Sequence, residues 1–436
     1  MCSIAGSHDE KEVWRMLEIQ QHRSPDGMNV RSGDFCIGMG RLAIIDTEND
    51  EFPMTRDGLT LTFNGEIYNY MDLRRELERI GHTFTTNTDT EVLLRAYHEW
   101  GEGCLDRLNG MFAFAVLHPD GSVFAARDIA GEKPFYFTTE PFRFASEAKA
   151  LGFDCRELPR AHKLWHQGGH TIVNEWFTPQ RVYVPPKLGD AVNALSVLLE
   201  DSVRLRTRSD VPYGIYLSDG IDSTLLSTYH WFSDTFTYRD DKHDGARFRD
   251  LLPRIVWHLD YPVHSFSAYG LWTLAEQARD TGVKVVISGE GADELFGGYV
   301  RYVKNEFNRK AASQFPSYKR LFPHEHDILL DEFNGNMQEL LRMSDRMASA
   351  HGVENRCPYL DRRIIEFAWS LPMEWKIDGM TTKVILRELL ARRLPRYEFA
   401  EKHGLYCSVP EWLGEKDLLD KRAYLSTQQE IWRKFL

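Results

Sequence analysis

The chain has 436 residues, 42% hydrophobic and 27% charged, which is enough apolar material for a soluble protein of two or three domains. A net charge of -12 without a basic patch argues against a nucleic-acid partner, and no apolar run approaches membrane-spanning length. The six cysteines, Cys2, Cys36, Cys104, Cys155, Cys357 and Cys407, are scattered without a Cys-x-x-Cys pair, as in neither a disulfide scaffold nor a zinc site; with no signal peptide, the expected location is the cytosol.

Met1-Cys2-Ser3-Ile4-Ala5-Gly6 opens the chain. Initiator methionine is normally removed before a residue as small as cysteine, which would leave Cys2 with a free α-amine. That amine titrates near ~8 and so can take the thiol proton at neutral pH. Met39–Asp46 and Leu61–Asn69 read as strands ending in polar turns. Thr86–Glu91 caps a helix running through Tyr97, with Asp89 near its positive end. Cys2, Arg41, Asn64, Gly65, Glu66 and Asp89 together suit one small amino acid. Arg41 matches an α-carboxylate, Asp89 an α-ammonium, and the Asn64 amide with the Gly65 N–H an oxyanion. Leu158–Lys187 is flecked with proline and histidine, lacks sustained periodicity and reads as connecting structure. Gly189–Arg208 shows Val192, Leu195, Leu198 and Leu199 at helical spacing.

Gly214–Thr228 organises the second half. The apolar run Gly214–Leu217 stops at Ser218-Asp219-Gly220-Ile221-Asp222-Ser223, and apolar residues resume at helical spacing from Leu225. Strand, glycine loop and helix start make a phosphate site in α/β proteins, because the first helical N–H groups lack intrahelical partners. Gly220 permits close approach, Ser218 and Ser223 offer hydroxyls, and Asp222 suits a Mg²⁺ bridging phosphates; an ordinary strand-to-helix turn is the alternative. Further on, Lys284–Ile287 reads as a buried parallel strand ending in Ser288-Gly289-Glu290-Gly291-Ala292-Asp293-Glu294. A glycine loop with three acids suits a second metal ligand and a general base.

Residues 1 to about 150 resemble the class II glutamine amidotransferase domain, an N-terminal-nucleophile hydrolase. The resemblance rests on Met-Cys-x-Ile-Ala-Gly at the start, His22-Arg23…Pro25-Asp26, Arg41–Ile44, Phe63–Asn69, Thr88–Glu91, Leu108–Ala115, Lys133–Tyr136 and Phe144–Glu147 in family order. The Ser218–Ser223 loop resembles the pyrophosphate loop of ATP pyrophosphatases, Ser-Gly-Gly-x-Asp-Ser. Ser288–Tyr299, Gly352–Asp361 and Lys383–Glu388 are similar to the synthetase domain of glutamine-dependent asparagine synthetases. These resemblances imply an α+β N-terminal-nucleophile hydrolase sandwich over 1–155, a connecting segment over 156–188, and an α/β ATP-pyrophosphatase domain with a parallel sheet and added helices over 189–436.

The implied chemistry begins with Cys2 attacking glutamine, with Asn64 and Gly65 stabilising the oxyanion. Ammonia passes through an internal channel and attacks a β-aspartyl-AMP made from aspartate and ATP. By the same resemblance Ser218, Gly220, Asp222 and Ser223 bind pyrophosphate, and Asp222 with Asp293 holds Mg²⁺. Leu217, Ser288 and Gly289 line the nucleotide pocket, Glu290 is the base or orienter for ammonia, and Lys402, kept with Gly404, neutralises phosphate charge. A homodimer is implied as well. Several positions depart from the family: Ser24 for glycine, Ile129-Ala130 for Arg-Phe, and Asp219 for a loop glycine. Tyr261 replaces glutamate, and the stretch between Phe236 and Trp257 keeps a strand over Thr235–Tyr238 but lacks the following helix and strand. At ~4 Å in a partly buried loop, Asp219 would repel a triphosphate by several kcal/mol. An acceptor carboxylate other than aspartate, or a glutaminase with a silenced ligase site, therefore remain rival readings.

Overall fold

The computed structural model describes residues 1–239, 245–263, 265–299, 302, 326–399, 407–412 and 422–435. The first half is built from two six-stranded sheets packed face to face, one ordered β10-β8-β9-β1-β3-β2 and the other β12-β11-β7-β6-β5-β4. The first comprises β1 (Ser3–Ser7), β2 (Met28–Arg31), β3 (Cys36–Gly40), β8 (Tyr136–Thr139), β9 (Phe142–Ala145) and β10 (Arg156–Glu157). The second comprises β4 (Met54–Arg56), β5 (Leu59–Ile67), β6 (Gly110–Leu117), β7 (Val123–Arg127), β11 (His162–Gln167) and β12 (His170–Glu175).

Side-chain alternation explains the layering. Ile4, Ala113 and Ala115 face the core between the sheets, alongside Phe135, Phe137 and Phe144. Ala5 turns outward onto Val13, Met16 and Leu17 of the helix Glu10–Ile19. Phe112, Phe114 and Val116 turn outward onto the helices Tyr70–Arg79 and Asp89–Trp100. Because both sheet faces are covered, these strands read as apolar runs rather than clean alternations. Strands β10 to β12 complete the two sheets, so the stretch read as connecting structure, 156–188, does so only beyond Glu175. Its polar composition reflects an exposed edge, with β12 largely open to solvent.

The second half carries a four-stranded sheet ordered β14-β13-β15-β16, parallel throughout: β13 (Tyr213–Tyr216), β14 (Asp234–Phe236), β15 (Val285–Ile287) and β16 (Glu354–Arg356). Ile215 and Ile287 pack on one face with Leu195, Leu199, Leu225 and Leu226. Tyr216 and Val286 pack on the other with Leu274 and Ala348. The chain leaves β13 for β14 on one side and returns to β15 on the other. That reversal opens a crevice at the carboxyl ends of β13 and β15, the usual ligand position in such sheets. Strand β14 is shorter than the span Thr235–Tyr238 read from the sequence and forms the sheet edge, and among the described residues no further strand covers it.

Buried charges tie the halves together. Arg23 donates to both Asp345 oxygens, at 2.9 and 3.2 Å, and to Glu147 at 3.0 Å. Arg346 reaches Glu147 at 3.2 Å and Asp260 at 2.8 Å, and Lys149 reaches Asp260 at 2.8 Å. Removing one partner of such a pair costs about 3–5 kcal/mol, so the relative placement of the halves is stiffly held. Tyr261 belongs to this contact: its hydroxyl accepts from Arg342, which also donates to Glu157 at 2.5 Å.

Candidate active sites

The first site lies where β1, β5 and the helix Asp89–Trp100 meet. One cavity is lined by Cys2, Arg41, Gly65, Glu66 and Asp89, with Leu42, Phe52, Met54 and Phe63 supplying apolar wall. Thr88 caps the helix by accepting from the Glu91 N–H at 3.2 Å. Asp89 then accepts from the Ile67 N–H at 2.9 Å, which locks the helix start onto the end of β5. Arg41 donates to the Ile45 and Asp46 carbonyls at 3.2 and 2.7 Å, so its guanidinium is held at the cavity wall. The Cys2 thiol lies 4.0 Å from the Leu42 carbonyl, and burial pushes it up from the ordinary thiol value.

Asn64 is not among the lining residues, but its side chain is fully buried and neither amide atom has a protein hydrogen-bond partner. A buried amide left without partners is costly unless a ligand satisfies it. Gly65 has φ +151°, and a Cβ there would sit 2.0 Å from the Met111 carbonyl oxygen. Gly65→Ala is therefore expected to destabilise the protein by about 3 kcal/mol and to displace the site backbone. Urea denaturation reads the first effect and glutamine hydrolysis the second; an unchanged midpoint with full hydrolysis would count against this role.

Burial pushes the Asp89 carboxyl up to about 6, against the opposing pull of the Ile67 N–H. Burial together with the Asp89 charge raises Glu66 well above the carboxylate range. Because the folded-state value of Asp89 exceeds the unfolded one, ionising it costs stability as pH rises toward about 6. An ammonium ligand offsets that cost. Glu66 also pairs at 3.1 Å with Arg356, which comes from β16 in the second half and which sequence reasoning had not placed in this site.

The second site lies in the crevice beyond β13 and β15. Ser223 Oγ accepts from the Ser218 N–H at 3.0 Å, and Ser218 Oγ accepts from the Gly220 N–H at 3.2 Å, which shapes the loop into a cradle. A Cβ on Gly289 would lie 2.8 Å from the Asp222 Cβ, so the two glycine loops touch. Leu217 packs beside the core, and Ser288 is held by its N–H to the Arg356 carbonyl at 3.0 Å. Asp222 and Asp293 converge on one ammonium: Lys383 Nζ is 2.6 Å from each Asp222 oxygen and 2.7 Å from Asp293. A Cβ on Gly298 would strike Asp293 at 1.7 Å and Lys383 at 2.1 Å, so only glycine admits the triad. Lys383 is the functional residue missed as an individual; its run was quoted, but nothing in its spacing marks it as the cation.

Two carboxylates around one cation, open to phosphate oxygens and water, are the donor set a Mg²⁺ uses. Among the described residues no cluster of three or more His, Cys, Asp or Glu side chains gathers as a metal site, here or elsewhere. Asp219 is exposed, and its backbone carbonyl accepts from the Tyr397 hydroxyl at 2.6 Å. In water a like charge at 4 Å costs about 1 kcal/mol, well below what burial would impose. Glu290 accepts from Asn355 Nδ2 at 3.0 Å and from the Cys357 thiol at 3.5 Å, and burial pushes its carboxyl up to about 7. Lys402 and Gly404 lie outside the described residues.

Comparison with known proteins agrees with both halves. Residues 1–168 match the model of the glutamine amidotransferase domain, and residues 194–230, 242–334 and 323–429 match that of asparagine synthase. The chain is 30% identical to asparagine synthetase [glutamine-hydrolyzing] 3 of Arabidopsis thaliana, over 90% of this chain and 74% of that one. It is 28% identical to asparagine synthetase [glutamine-hydrolyzing] 1 of Bacillus subtilis (strain 168), over 94% of this chain and 86% of the relative. The chain belongs to the asparagine synthase family and carries a glutamine amidotransferase domain ahead of the synthase domain.

Proposed function

We propose that the protein is a glutamine-dependent asparagine synthetase, converting aspartate, glutamine and ATP into asparagine, glutamate, AMP and pyrophosphate. The observation that carries a two-site reading is β16. Arg356 on this strand meets Glu66 in the first site, and its neighbour Asn355 meets Glu290 in the second. One three-residue strand thus touches both centres.

In the first site Arg41 receives the glutamine α-carboxylate, and Asp89 with Glu66 receives the α-ammonium. After Met1 is removed, the Cys2 α-amine takes the thiol proton and the thiolate attacks the side-chain carbonyl. Asn64 Nδ2 and the Gly65 N–H stabilise the oxyanion, the proton leaves with ammonia, and water releases glutamate from the thioester. In the second site Ser218, Gly220 and Ser223 cradle the pyrophosphate of ATP, and Leu217, Ser288 and Gly289 border the nucleotide. Asp222 and Asp293 would hold Mg²⁺, which would supply positive charge against the phosphates. Glu290 takes the proton lost when ammonia attacks the aspartyl acyl carbon. Its value near 7 suits that task. Lys402 keeps its proposed role beside the phosphates. Homodimer assembly and a cytoplasmic location belong to this proposal too; among the described residues no helix is long and apolar enough to cross a membrane.

The test is pyrophosphate release with ATP, Mg²⁺ and aspartate, using glutamine or ammonium as nitrogen source. Both sources are expected to give asparagine, with a rate that rises with pH through about 7 as Glu290 loses its proton. Glutamate formation without pyrophosphate would overturn the ligase half.

A further inference from the structure

Between the two sites lies a carboxyl that the mechanism above does not use. Glu132 follows Gly131 in the turn between β7 and β8 and is 6% exposed. Its Oε2 has no protein hydrogen-bond partner. The charged groups around it are committed elsewhere. Asp128 accepts the backbone N–H groups of Ala130, Gly131 and Glu132, and Arg206 Nη1 donates to Ser202 and Asp361. Lys133 Nζ lies 4.0 Å from Asp345, a partner that removal of Met1 leaves in place. Glu132 is also within Coulombic reach of Tyr68 beyond β5, Glu290 beyond β15 and Cys357 beyond β16. The Tyr68 hydroxyl and Arg206 Nε likewise lack protein partners. Unpaired buried polar atoms cluster here, where the halves meet.

We infer that Glu132 is a positioning residue for nitrogen in transit: its buried carboxyl binds ammonia released at Cys2 and presents it to Glu290. The inference rests on the two-site reading above. Burial pushes the Glu132 carboxyl up to about 8, with Asp128 adding to it, so at neutral pH the group is mostly protonated. It can then donate its O–H to the ammonia lone pair and accept an N–H on the other oxygen. Any proton passed to ammonia returns to the carboxylate when ammonia moves on, so the step consumes none.

The test uses the full chain with Glu132→Leu and Glu132→Gln. Glutamate formed per asparagine is measured with glutamine, and the asparagine rate is compared between glutamine and ammonium. Losing one hydrogen bond should raise glutamate per asparagine about fivefold in the leucine variant. Glu132→Gln, which keeps an accepting oxygen, should restore most of the coupling. Unchanged coupling in Glu132→Leu, or equal loss from both nitrogen sources, overturns the inference. Absence of asparagine from the unmodified chain with either source instead overturns the functional reading.

Discussion

Cys2→Ala is expected to cut glutamine hydrolysis by at least about 10³-fold while ammonium-supported asparagine formation persists. No other thiol lines the first cavity, and a hydroxyl or water in its place would lack the thiolate's nucleophilicity. The half-buried thiol of Cys2 is raised rather than lowered by its surroundings, so a base at contact distance is what the proposed mechanism calls for. In the proposed mechanism the α-amine freed by removal of Met1 would be that base. Met1 is fully buried against Tyr216, Val286 and Val353 of the second half, so the proposed removal would have to precede closure of the halves. Glutamate release by the alanine variant at the parental rate would end the case for Cys2 as nucleophile.

Lys383→Met should produce the largest change in the second site. Burial pulls the Lys383 ammonium down, yet the Asp222 and Asp293 carboxylates outweigh burial and hold it above the usual lysine range. A raised folded-state value means that this stabilisation is fully present at neutral pH and is lost only on strong alkalinisation. Methionine keeps the volume and leaves two carboxylates facing each other. Without divalent cations the variant should lose about 3–5 kcal/mol in urea denaturation. Added Mg²⁺ should recover part of that loss, because an ion bound only by the folded state stabilises it. Pyrophosphate release should fall with the lost phosphate-side charge. A variant as stable as the parent that still turns over ATP would show that the triad is incidental.

The departures from the family pattern look different in three dimensions. Asp219, which the loop motif places in a phosphate cradle, is exposed, and its carbonyl anchors Tyr397. Tyr261 is engaged by Arg342 at the contact between the halves. Neither supports a silenced ligase site. After β14, among the described residues, no further strand follows on that side, and β14 is the sheet edge.

Several strands and the candidate site residues were legible because their signals are local. A glycine loop after a strand, a threonine cap before Asp89 and a cysteine at position 2 each sit within a few residues of the geometry they specify. The edge strands β10 and β12 escaped because an exposed edge strand has no apolar alternation to read, and β11 escaped because its buried positions include the polar His166. Lys383, Arg356 and Glu132 escaped for another reason. Lys383 meets Asp222 across 161 positions of the chain, and no local spacing records that encounter. The sequence supplies candidate groups within short reach of one another: a cysteine at position 2, an amide beside a glycine N–H, and a glycine loop with its acids. Which buried charges face one another is set only by the fold, because a charge removed from water must find its opposite wherever the fold brings one.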